Sequence, residues 1–258
     1  MTITPNTDLP LILHREAGEG DHAEHGGGGV PRPVFDATTA LSLLQYGDSA
    51  YPAGGFAFSW GIEGLAADGL LDGVQQLDAA IHTHLTHRWQ TADRVLLRRA
   101  YVATSLEHVA TIDRIAEATT LSAEMREGSH RAGRALLGVA VKLGGPLSTT
   151  YRQMLAADPR LGHLPIIQAL VYRDAALSLE AAELVSGWGL VNGLVSAATR
   201  LGIIGHIEAQ RALTAARVVL AGLLDDPPDA DELPSSFTPL IDIAVARGPS
   251  RHIRMFAT

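Results

Sequence analysis

The sequence predicts an all-α protein, a single compact bundle of about eight to ten helices of ~10–25 residues each. Three observations carry this. Hydrophobic residues make up 47% of the chain but aromatics only 5%, so the core rests on alanine, leucine and valine. Small aliphatic side chains suit helices packed closely on one another. Apolar residues recur at helical spacing with hardly a strand pattern: Val191, Leu194, Val195 and Ala198 fall at i, i+3, i+4 and i+7, and Leu213, Ala216, Leu220 and Leu223 mark a second stripe. Helix start and stop signals separate the stripes.

Residues 1–33 read as a flexible tail rich in Gly and His, with little that could anchor a core. Asp36 is a suitable N-cap for a helix over Thr38 to Tyr46. Gly144-Gly145-Pro146 and Asp158-Pro159 predict breaks. Ser178 followed by Glu180 predicts a helix start, with negative charge near the positive end of the helix dipole. Gly187, Gly189 and Gly193 fall inside that helix, where each costs roughly 1 kcal/mol against alanine. Close helix–helix approach is the reading we give them. The helical domain is expected over 34–225, followed by an acidic, proline-rich linker over 226–238 and a docking segment over 239–258. That last segment places Leu240, Ile241, Ile243, Ala244 and Val245 ahead of Arg247, Arg251 and Arg254. It docks either on the chain's own domain or on a partner.

The formal charge of −8 disfavours nucleic acid as the main partner, because no basic surplus is available to displace counterions. No cysteine is present, which excludes disulfides and thiolate metal sites. The apolar run Leu9 to Leu13 is short for a signal peptide and no segment is long enough to span a membrane, so a cytoplasmic protein is expected.

Catalytic motifs are wanting. Gly26 to Gly29 lacks the Gly-Lys-Ser/Thr of a P-loop. Ala57-Phe58-Ser59-Trp60-Gly61 lacks the first glycine and feeding strand of a nucleophile elbow. Among the histidines, His82 and His84 point to different helix faces. His84 and His87 could share an ion but read better as a solvated surface. His22 and His25 could hold a cation weakly in the tail. Glu127 and His130 form one Glu-x-x-His, where a di-iron bundle needs two plus further carboxylates. No catalytic residue, resident metal or cofactor is therefore expected, and the chain reads as a binding protein rather than an enzyme.

The least ordinary stretch is Asp48-Ser49-Ala50-Tyr51-Pro52-Ala53-Gly54-Gly55-Phe56-Ala57-Phe58-Ser59-Trp60-Gly61-Ile62-Glu63. Proline and paired glycines impose a sharp turn, and Phe56, Phe58 and Trp60 follow at once. The turn is either a helix–helix corner or a rigid platform with aromatic anchors for a partner. It resembles the Pro-x-Gly-Gly-Phe-Ser-Tyr-Ser-x-Gly-Leu-Glu signature of the UreF family of urease accessory proteins. Three further blocks resemble that family in order: Leu121 to Arg126 with Gly133 and Leu136-Leu137; Ser196 to Leu201 with Gly205 and Gln210; and Asp242 to Arg247 with Arg254-Met255-Phe256. His163 and Pro165 match its His-x-Pro. The resemblance runs from about Ala40 to the C-terminus. Departures are Ala57 and Phe58 where the family carries hydroxyls, Gly248 for a histidine, His252-Ile253 for Tyr-Ser, and Ala257-Thr258 for Arg-Ser.

The resemblance implies an all-α homodimer that binds a UreD/UreH-type accessory protein and a UreG-type GTPase. That assembly delivers nickel to apo-urease in a GTP-dependent way. On this expectation the chain is an adaptor, with GTP and nickel chemistry on its partners and no nucleic acid or membrane involved. By position, Pro52, Gly54, Gly55, Phe56, Ser59, Gly61 and Glu63 form a partner-binding surface or its scaffold. Arg247, Arg254 and Phe256 dock the UreD/UreH-type partner. Arg200 either pairs with the negative end of its own helix or makes a partner contact. Two other classes stand beside this: an intrinsic nickel carrier using His22, His25, His84 or His87, and a helical small-molecule-binding regulator, which needs a defined internal pocket.

Overall fold

The computed structural model describes residues 36–52, 54–55, 58–248 and 256; the expected tail over 1–33 lies outside them. Among the described residues the helices are α1 (Ala37–Gly47), α2 (Ile62–Ala67), α3 (Val74–His84), a π-helical segment (Leu85–Asp93), α4 (Arg94–Val102), α5 (Leu106–Thr119), α6 (Ala123–Lys142), α7 (Pro146–Ala157), α8 (Leu164–Asp174), α9 (Leu179–Arg200), α10 (His206–Asp225) and α11 (Pro239–Ala246). His84, Leu85 and Arg94 keep right-handed helical dihedrals, so α3, the π segment and α4 form one rod. That gives ten continuous helices and no strand among the described residues, the predicted class. No helix there is long and apolar enough to cross a membrane.

The local signals act where expected. The Asp36 carboxylate accepts from the Thr38 and Thr39 amides, and Ser178 Oγ accepts from the Ala181 amide, each satisfying amides that a helix start leaves without partners. Proline opens α7 after the Gly144-Gly145 break. Val191, Leu194, Val195 and Ala198 are all buried. Of the three α9 glycines, Gly187 matches the close-approach reading: a Cβ there would lie 2.6 Å from Leu220 Cδ1 and 2.9 Å from Trp89 Cζ2. A Cβ on Gly189 would meet nothing within 4 Å among the described residues.

Two apolar clusters share α9. One gathers α2, α3, the π segment, α10 and α11 around Ile62, Leu77, Leu85 and Leu194. The other gathers α4 to α8 around Leu97, Ile112, Tyr151 and Ile166. Between α4, α9 and α10 sits a buried charge node with no signature in the sequence. Arg94, 1% exposed, places Nη2 2.8 Å from Glu183 Oε2 and also donates to the Leu223 and Leu224 carbonyls. Arg98 also pairs with Glu183. One guanidinium thus neutralises a buried carboxylate and caps the free carbonyls ending α10.

The stretch expected as a linker runs as a strap along the rod. Ser235 N donates to Thr91 O at 2.9 Å and Phe237 N to His87 O at 3.0 Å, both acceptors lying in the π segment. Thr91 Oγ1 donates back to Ser235 O at 2.6 Å. The strap delivers α11 onto the chain's own body, where Ile241, Ala244 and Val245 are buried and Leu240 and Ile243 face outward.

Candidate functional site

The Pro-Gly-Gly turn is built from left-handed backbone. Gly54 has φ 77° and Gly61 φ 95°, and between them Trp60, a bulky residue, has φ 51°. Such a residue pays roughly 1–2 kcal/mol in this region and keeps it only where its surroundings fix it. Here they do: Trp60 is buried against Phe58 with ring centroids 5.6 Å apart, and the Arg88 guanidinium lies 5.4 Å from its ring centroid.

The turn meets the other blocks of the resemblance. A Cβ on Gly54 would lie 2.6 Å from Ala132 O and 2.7 Å from Ala135 Cβ, so the glycine lets the turn touch α6. Gly128 of α6 faces the Phe58 ring at 3.4 Å, measured from where its Cβ would be. At the other end, a Cβ on Gly61 would lie 2.7 Å from Ile241 Cγ2, and one on Gly64 only 2.5 Å from Ala244 O. The two glycines therefore form the seat of α11. Arg200, at the end of α9, has its guanidinium 4.3 Å from the Phe256 ring centroid.

The predicted site residues thus fall into distinct settings. Pro52 is exposed, Gly54 and Gly55 are half-buried, and Ser59 and Gly61 are buried. Glu63 stands half-buried in the first turn of α2. Arg247 is exposed and places Nη1 3.2 Å from Asp68 Oδ2. Phe256 is buried in the first cluster. Phe56 and Arg254 lie outside the described residues. Phe58 and Trp60, read from sequence as possible aromatic anchors for a partner, are core side chains; the hydrophobic gain of burying two large rings decides their place.

Beside the turn is a cavity of about 220 Å³ whose walls include Tyr46, Gly55, Trp60, Gln168, Gly189 and Arg200. Gly189 opens this space, a role the sequence reading did not give it.

The histidines are not arranged as the sequence suggested. His84 is fully buried and His87 exposed, so the pair cannot share an ion. Burial, with the Arg88 charge adding to it, holds His84 down to about 3, so it is neutral at pH 7. Glu127 pairs with Arg131, whereas His130 Nε2 lies 3.0 Å from Glu117 Oε2. His163 N-caps α8 and its ring lies against that of His130, with centroids 3.9 Å apart. Its loop is held by buried Asp113, which accepts from the Gly162 amide at 2.6 Å, the His163 amide at 3.1 Å and the Tyr151 hydroxyl at 2.7 Å. Burial raises the Asp113 carboxyl to about 6 against the pull of these donors. Desolvation, with His130 and Arg134 charges adding to it, holds His163 down to about 3.

Comparison with known proteins bears on the whole assembly. The UreF family model matches residues 71–217. The chain is 31% identical over 244 residues to the urease accessory protein UreF of Trichodesmium erythraeum, covering 86% of this chain and 98% of that one. It is 28% identical over 223 residues to urease accessory protein UreF 1 of Brucella melitensis, covering 84% and 91%. It is 25% identical over 228 residues to the UreF of Yersinia enterocolitica, covering 86% and 100%. The four ordered blocks, their packing against one another and these matches agree, and the chain belongs to the UreF family.

Proposed function

We propose that this chain is a urease accessory protein acting as a non-catalytic adaptor in the cytoplasm. On this reading it forms a homodimer, binds a UreD/UreH-type protein and a UreG-type GTPase, and supports GTP-dependent nickel insertion into apo-urease. The observation that carries it is the interlocking of the motif blocks. The Gly54–Gly64 turn is clasped by α6 on one side and α11 on the other, so the residues shared with the family form one scaffold rather than scattered matches. That scaffold presents the outer face of α11, with Leu240 64% and Ile243 49% exposed and Arg247 one turn on. Exposed aliphatics beside an arginine suit a protein interface, and this is the face proposed to meet the UreD/UreH-type partner.

The small-molecule regulator is supported only by the cavity, whose 220 Å³ falls below the ~300–1,000 Å³ usual for ligand pockets. Size-exclusion chromatography of the UreD/UreH-type protein with the UreG-type GTPase, with and without this chain, tests the adaptor reading. A complex holding all three only when the chain is present supports it. Assembly of the other two that is indifferent to the chain removes it.

A further inference from the structure

We propose that Glu117, His130 and His163 form a binding site for a divalent transition-metal ion. The site stands independently of the adaptor reading. Its donors come from three elements: Glu117 from the end of α5, His130 from the second turn of α6, and His163 from the loop that caps α8. One ligand atom from each lies within 4.8 Å of the others.

Two of the donor spacings match a coordination sphere. Glu117 Oε2 is 3.0 Å from His130 Nε2 and 3.2 Å from His163 Nε2. Metal–ligand bonds of about 2.0–2.2 Å place neighbouring donors roughly 3–3.5 Å apart. The hydrogen bonds present do not account for the cluster. His163 is 1% exposed, yet among the described residues neither of its ring nitrogens has a hydrogen-bond partner, and His130 Nδ1 lacks one as well. The 3.2 Å approach of His163 to Glu117 is close but lacks hydrogen-bonding geometry. Buried polar atoms without partners are costly, and a cation held beside Glu117 Oε2 would give His163 Nε2 a partner.

The surroundings are organised for this use. Metal-bound histidines commonly turn their second nitrogen toward a carboxylate that fixes the ring. Asp113 Oδ1 stands 3.9 Å from His163 Nδ1, a small ring tilt from a hydrogen bond, while Asp113 already holds the His163 backbone. Gly133 is required behind it, since a Cβ there would collide with the Gly162 carbonyl.

The donor set selects the metal class. Two imidazoles and one carboxylate suit zinc, nickel, cobalt or copper rather than calcium or magnesium, which want several oxygens. Positive side chains line the adjoining groove, among them Arg126, Arg131 and Arg134. Arg131 is paired with Glu127, and Arg134 donates to Pro159 O. Arg126 Nε lies 3.7 Å from Glu117 Oε1 and competes with a cation for that carboxylate. Glu117 and His130 line this groove, which gives a cation a route to the site from solvent.

The test titrates the metal-stripped full-length chain with Co²⁺, read by its visible d–d absorption, and with Zn²⁺ in competition. Three variants accompany it: His130→Leu, Glu117→Gln, and His22→Ala with His25→Ala. Circular dichroism melts confirm that each is folded. The proposal expects one equivalent of Co²⁺ displaced by Zn²⁺, affinity lowered at least tenfold in His130→Leu and in Glu117→Gln, and no change in the tail variant. Saturable binding that survives both site substitutions, or that vanishes with the tail histidines alone, overturns it. So does a folded wild-type chain that binds no stoichiometric metal.

Discussion

Gly64→Ala isolates the contact that seats α11. Gly64 lies within α2, where alanine is the better helix former by about 0.5–1 kcal/mol. Propensity alone therefore predicts stabilisation. The new Cβ, however, would stand 2.5 Å from Ala244 O, 2.8 Å from Ala244 C and 3.0 Å from Ala244 Cβ. Backbone atoms cannot swing aside, so α11 must retreat by about 1 Å to reach ordinary contact. Overpacking of this kind costs about 1–3 kcal/mol, which exceeds the propensity gain. The penalty falls on α11, an eight-residue helix with three buried side chains. A net loss of about 1–2 kcal/mol corresponds to a factor of roughly 5–30 in its docking equilibrium. Hydrogen exchange followed by mass spectrometry on peptides covering Pro239–Ala246 should show exchange faster by that factor, while peptides from α8 stay unchanged. Equal or slower exchange in the variant would refute the seat that these glycines are argued to form.

Gly138→Ala is the matched control. It lies in α6 with nothing among the described residues within 4 Å of an added Cβ, so thermal unfolding should show a gain of about 0.5–1 kcal/mol. Arg94→Met leaves Glu183 with Arg98 alone and strips the last carbonyls of α10 of their donor. Breaking a buried pair costs about 3–5 kcal/mol, which urea unfolding would read as a lowered midpoint at constant slope. His84, held down to about 3 by burial and by the facing Arg88, stays neutral in the fold while the unfolded chain takes up a proton below pH ~6.5. Its contribution is therefore complete above pH ~6.5 and is lost from there down to pH ~3, at up to about 1.4 kcal/mol per pH unit. Urea titrations at pH 7.5 and 5.5 should show a smaller difference for His84→Leu than for the unsubstituted chain.

Features governed by neighbours in sequence were legible before the structure. The Asp36 and Ser178 caps, the Gly144-Gly145-Pro146 break and the α9 stripe each obey rules spanning a few residues. The order of the four blocks was legible too. What the sequence hid depends on distant partners. Arg94 reads as one more charged helix residue until the ends of α9 and α10 bring Glu183 and the Leu223 carbonyl to it. Acidic, proline-rich composition points to a linker over 226–238, but the carbonyls of His87 and Thr91 pin that stretch to the rod. The π segment at Leu85–Asp93 has no composition cue; it shifts the helix face so that Arg88 and Trp89 both turn inward. Glu117, His130 and His163 are separated by two helices' worth of chain, and the lone Glu127-x-x-His130 spacing gives no sign of that cluster.

The central claim is that this chain binds a UreD/UreH-type protein through the exposed face of α11. The most direct test is co-purification of that partner with the full chain and with Leu240→Asp plus Ile243→Asp. These side chains point outward, so the variant keeps the buried Ile241, Ala244 and Val245. The account predicts that the full chain retains the partner and that the variant loses it with its melting temperature unchanged. A folded full-length chain that retains no partner, or a variant that retains it as well as the full chain does, would contradict the claim.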